Sequence, residues 1–96
     1  MPVTVIVDVP VKPELLEATI AKFHEVLPAT RAFEGCLEVD LLQRQDDPNR
    51  VVLVEKWESR SDHELYMAWR KESKTGVLHP DVVAGPVDMI YLDPVK

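Results

Sequence analysis

The chain has 96 residues, and its 11 Lys and Arg against 17 Asp and Glu give a formal net charge of −6. This length predicts one domain over 1–96, and hydrophobic and charged contents of 46% and 29% exclude a disordered or fibrous chain. The acidic balance argues against nucleic acid or an anionic membrane as partner, and no apolar run approaches the ~20 residues of a membrane span.

Val3, Val5, Val7, Val9 and Val11 alternate with their neighbours and predict a β-branched strand over 3–11, with Ile6 on the opposite face and Pro10 marking an edge or strand end. Pro13 suits the first position of a helix, Glu14 and Glu17 complement its positive end, and Leu16, Ile20, Phe23 and Leu27 form its apolar stripe. Pro28 is expected to end or kink this helix, with a further short turn over 29–33 before Gly35. A second strand runs from Cys36 to Arg44, with Leu37, Val39 and Leu41 on one side. A turn over 45–49 joins it in a hairpin to a third strand, Val51–Trp57. In that strand Val51, Leu53, Glu55 and Trp57 share one face, and Val52 and Val54 share the other. Ser61 and Glu64 have capping-box spacing at the start of a second helix that buries Leu65, Ala68 and Trp69. Residues 75–86 read as a loop, and 87–92 as a last short strand.

The order strand, helix, strand, strand, helix, strand predicts an α+β, ferredoxin-like antiparallel sheet with both helices on one face. Those helices cannot also cover Ile6, Val52, Val54, Ile90 and Leu92. A half-apolar second face on so small a domain predicts a homodimer through sheet faces, packed at ~10 Å. A single cysteine, Cys36, and no signal-peptide pattern at the start predict a cytoplasmic protein.

Candidate chemistry narrows by residue type. His24, His63 and His79 lack metal-ligand spacing and there is no cysteine pair, so no metal is expected. Gly35, Gly76 and Gly85 form no phosphate loop, so no nucleotide cofactor is expected either. Cys36 lies between Glu34 and Glu38, which raise a thiol pKa rather than activate it. What remains is an aromatic cluster. Trp57, Trp69, Phe23 and Phe33, with Glu55 on the Trp57 side, are predicted to wall a pocket for a small, flat aromatic ligand. His63, Tyr66 and Arg70 fall on one helical neighbourhood beside it. Read one by one, these rings are expected to be core, and His63 an exposed first-turn residue.

The Val-rich first strand, Lys12-Pro13-Glu14, Phe33-Glu34-Gly35-Cys36, Asp47-Pro48-Asn49-Arg50 and above all Glu55-Lys56-Trp57-Glu58-Ser59 before a capped helix resemble the antibiotic biosynthesis monooxygenase family. The resemblance spans nearly the whole chain through short motifs. It implies a dimeric α+β barrel with a pocket between helices and sheet, and oxygenation of quinols or polycyclic phenols without flavin or metal. Related branches degrade haem. Many members place a His in the middle of the second helix where this chain has Tyr66, and catalytic branches place an Asn where it has Leu53. Trp57 therefore carries over, and the haem-ligating position does not.

The expectation is a cofactor-independent monooxygenase acting on a quinol or other phenol. His63, with an ordinary pKa near 6.5, would act as base, Tyr66 would orient the substrate hydroxyl, and Arg70 would hold developing negative charge. The alternative is a non-enzymatic dimeric protein that binds a small molecule in the same pocket. A third class, an isomerase or lyase of a lactone or ketoacid, requires Arg31 or Arg70 in the pocket to meet a carboxylate.

Overall fold

The computed structural model describes residues 2–96. Strands β1 (Val3–Pro10), β2 (Cys36–Gln43), β3 (Arg50–Trp57) and β4 (Asp88–Leu92) form one antiparallel sheet in the order β2-β3-β1-β4. Helices α1 (Leu16–Arg31) and α2 (Arg60–Ser73) follow β1 and β3. This is the α+β, ferredoxin-like arrangement that the element order predicts.

Period-two alternation decides which side is core. Val3, Val5, Val7 and Val9 of β1 join Val51, Leu53 and Trp57 of β3, Val39 of β2, and Phe23 and Leu27 of α1 in one buried cluster. Removing each such side chain from water contributes about 1.5–3 kcal/mol before conformational entropy is subtracted. The other face carries Ile6 opposite both Val54 and Ile90, with Leu42 opposite Val52. Leu42, Ile90 and Leu92 are 51%, 52% and 45% exposed there.

Several boundaries depart from the sequence expectations. Pro28 lies inside α1, which continues to Arg31 and closes when the Ala32 N–H donates to the Pro28 carbonyl at 3.1 Å. Residues 29–31 thus continue the helix instead of starting a separate turn, and α1 forgoes the one ladder bond that Pro28 cannot donate. Pro13 opens a 3₁₀ turn, Pro13–Leu15, ahead of α1. The second helix is capped two residues earlier than expected. Ser59 Oγ accepts the Asp62 N–H at 3.1 Å, so the Ser61–Glu64 pair is not the cap. A register shift between Cys36 and Glu38 turns Leu37 out of the core row.

Gly35 earns its place by space and backbone together. It has φ +91°, and a Cβ there would meet the Asp62 side chain at 2.5 Å. The same glycine's carbonyl accepts the Glu58 N–H at 2.8 Å, fixing where β3 hands over to α2. Nor is the 75–86 segment a free loop. Lys12 N–H donates to the Val82 carbonyl at 3.0 Å, Ala84 N–H to the Pro10 carbonyl at 2.9 Å, and Val77 is buried.

Candidate functional site

The end of β3 and the inner face of α2 bring most of the expected residues together. Glu55 and Trp57 sit two apart on the core side of β3, both buried, and the Trp57 Nε1–H donates to Glu55 Oε1 at 2.8 Å. His63, Tyr66 and Arg70 recur at helical spacing on the buried face of α2. The expectation of an exposed His63 fails: the side chain is 0% exposed. Phe33 packs edge-on against Tyr66 at 5.4 Å and lies 5.4 Å from Trp69. Trp57 lies 5.1 Å from Tyr66 and 5.4 Å from His63. Phe23 is buried lower in the core and joins none of these ring pairs.

Arg70 is 8% exposed, and every edge of its guanidinium is used. Nε donates to Tyr66 Oη at 2.9 Å, Nη1 to Thr75 Oγ1 at 3.0 Å, and Nη2 to the Val26 carbonyl at 2.7 Å and Thr30 Oγ1 at 2.9 Å. Tyr66 and Thr30 hydroxyls close the ring of bonds at 2.8 Å. All of these acceptors are neutral. Among the described residues no carboxylate lies within ion-pair distance of Arg70, whose charge instead stacks 4.7 Å from the centre of the Trp69 ring.

On the other side of Trp57, His63 Nδ1 lies 2.8 Å from Tyr91 Oη. With the tyrosine hydroxyl donating, the remaining imidazole proton sits on Nε2, 3.7 Å from Glu55 Oε1 and without a hydrogen-bond partner among the described residues. Burial pushes the His63 pKa down to about 4 and raises that of Glu55. Both groups therefore favour their neutral forms. Burial also raises the Cys36 thiol, with Glu55 adding to the effect, which leaves an unactivated, partly buried side chain packed against the core.

A cleft of about 700 Å³ opens between α1 and the C-terminal end of α2 with the segment that follows it. Trp69 and Arg70 line it, together with Thr19, Lys22, Glu25 and Val26 of α1 and Lys74, Thr75, Val77, His79 and Val82. Trp57, Glu55, Tyr66, His63, Phe23 and Phe33 do not; they pack behind the wall or deeper. Two of the eight expected residues thus face the cleft directly, and Tyr66 reaches it through Arg70. Arg31 instead donates to the Val39 carbonyl at 3.0 Å.

Sequence reasoning missed Thr30, Tyr91, Lys22 and Lys74. Thr30 continues the Phe23–Leu27 spacing by one more step, and the alternation of β4 puts Tyr91 beside Val5 in the row that contains Glu55. Lys74 gives no sequence signal. It caps α2 with φ 57° and ψ 33°, a left-handed conformation that costs a side chain about 1 kcal/mol relative to glycine.

No protein of curated function matches the chain. The family model described as antibiotic biosynthesis monooxygenase matches residues 2–73. Among solved structures, an antibiotic biosynthesis monooxygenase is similar with TM-score 0.86 and 24% identity, over 98% of this chain and 99% of that one. Rv0793 from Mycobacterium tuberculosis is similar with TM-score 0.76 and 25% identity, over 100% and 97%. A conserved protein from Methanosarcina mazei Go1 reaches TM-score 0.85 at 15% identity, over 96% and 91%.

Proposed function

The chain belongs to the antibiotic biosynthesis monooxygenase family, and from that premise we propose that it is a cofactor-independent monooxygenase taking a quinol or other phenolic aromatic in the Trp69–Arg70 cleft. The observation that carries this reading is one cleft wall holding an indole and a buried guanidinium with only neutral partners. A phenol ionises near pH 10 in water, and a cation in a low-dielectric wall favours the phenolate. That electron-rich anion can reduce dioxygen, and recombination of the resulting radicals forms the new C–O bond. One quinol and one O2 give one hydroxyquinone and one water. The quinol supplies all four electrons, so no further reductant enters. The substrate proton leaves to solvent through the open cleft. Tyr66 acts as a positioning residue, holding Arg70 through Nε. His63 is neutral near pH 7, as a base must be, but it lies behind Trp57 and serves that role only if the ring stack parts.

That separation favours the second reading, a binding protein that uses the same cleft without turnover. Oxygen electrode traces with a panel of quinols, run beside tryptophan fluorescence titrations, distinguish the two. Uptake above buffer with one hydroxyquinone per O2 supports the oxygenase. Quenching without uptake supports the binder, and neither response removes both.

The second sheet face supports a homodimer. Val54, Ile6 and Ile90 line up across β3, β1 and β4, with Leu42 and Val52 paired on one side and Leu92 on the other. Asp8, Asp40 and Asp88 interrupt the patch, and no element among the described residues covers its apolar part. A solution mass of one chain at micromolar concentration would overturn this pairing. No helix among the described residues is long and apolar enough to cross a membrane.

A further inference from the structure

The charge around the cleft runs against the charge of the chain. Acids outnumber bases 17 to 11 overall, yet the cleft lining holds three cations, Lys22, Arg70 and Lys74, against one carboxylate, Glu25. A patch drawn at random from this sequence would be net acidic. The one internal pairing is weak, since Lys22 and Glu25 meet at 3.5 Å with both side chains exposed. Arg70 already has its N–H groups on Tyr66, Thr30, Val26 and Thr75, so it offers a ligand positive potential rather than new hydrogen bonds. The ammonium groups of Lys74 and Lys22 are the donors left for a direct contact. Lys74 also holds the left-handed cap position where glycine is usual, a strained choice at a residue lining the cleft.

We propose that the ligand of this cleft is an aromatic carboxylate: its ring lies against Trp69, and its carboxylate is taken by Lys74 and Lys22 in the field of Arg70. This rests on the reading that the cleft is the ligand site. It adds that the ligand carries a permanent negative charge besides any ionisable hydroxyl. The charged group belongs at the mouth, where the lysines are, and the ring belongs inward among Val26, Val77 and Val82. The same arrangement disfavours neutral polycyclic phenols, because they leave the cations without an anion.

Calorimetric titration with 2-naphthoate and 2-naphthamide, a matched pair that no oxygen chemistry consumes, tests the charge apart from turnover. The carboxylate is expected to bind about tenfold more tightly than the amide, and the gap should close in 0.5 M NaCl. In Lys74→Gly the gap should narrow to about threefold while the melting temperature stays at or above that of the parent, because glycine relaxes the cap. Lys22→Gln should narrow it similarly without touching the backbone. Equal binding of the two probes overturns the carboxylate assignment and leaves the cleft as a site. Failure of both probes to bind overturns the cleft reading itself. A preference that survives both lysine substitutions overturns the assignment to those residues.

Discussion

Around Arg70, each edge of a buried guanidinium ends on an oxygen, whereas around His63, two turns earlier in α2, a buried imidazole nitrogen meets no hydrogen-bond partner among the described residues. The ring stack of Trp57 and Tyr66 separates the two clusters. One keeps a permanent charge in the interior by supplying it with neutral dipoles and an indole face. In the other, burial pushes both titratable groups toward their uncharged forms. The first strategy binds α1, α2 and Thr75 together and fixes a cleft wall. The second makes stability depend on pH, because either group can be forced to ionise.

Breaking the Arg70 cluster carries the largest expected effect. Arg70→Ala removes charge-assisted bonds to four residues and leaves a cavity beside Trp69, so unfolding free energy should fall by about 4 kcal/mol in urea titrations. Tyr66→Phe removes only the Nε acceptor and one hydroxyl pair, and should cost less than half as much. Equal losses would mean that the hydroxyl, not the guanidinium, organises the wall.

Acid should expose the second cluster. His63 has a folded pKa of about 4 against 6.5 unfolded, so the unfolded chain binds its proton first. Stability contributed by keeping it neutral is intact above 6.5 and is lost as pH falls toward 4, about 3 kcal/mol in all. Thermal melts from pH 7 to 4 should show this acid limb, and His63→Gln should flatten it. A limb unchanged by that substitution would assign the loss to other groups.

The difference between the clusters also explains what the sequence could reveal. The sheet, both helices and their order follow from alternation and spacing that any reader of the valines of β1 or the Leu16–Leu27 stripe can count. Helix ends were less legible, because Ser59 and Ser61 are both plausible caps and only packing of Asp62 against Gly35 selects the former. Trp57, Tyr66, His63 and Arg70 were legible as neighbours, since three of them share a helix face and the fourth ends the strand before it. Their depth was not. Burial of His63 depends on Tyr91, which is 28 residues further on, and the access of Arg70 to solvent depends on the course of residues 74–82. Lys22 and Lys74 acquire meaning only when α1 and the end of α2 are set side by side.

The smallest effect, and the one with reversed sign, belongs to Glu55. Its carboxyl is raised by burial, partly offset by the bond from Trp57, so the folded state holds the proton above the ordinary carboxylate range. Stability is therefore complete at low pH and is lost as pH rises from about 4.5 through the folded value. This opposes the His63 limb over the same acid range, and the two partly cancel in the native chain. Glu55→Gln keeps an oxygen for the Trp57 indole but cannot ionise. It should gain on the order of 1 kcal/mol near pH 8, where a buried carboxylate would otherwise have to form. The same substitution should steepen the fall below pH 6.5, because only His63 then titrates. A Glu55→Gln variant with the parent's pH profile would mean that the Glu55 carboxyl binds its proton no more tightly folded than unfolded, and that burial does not hold it neutral.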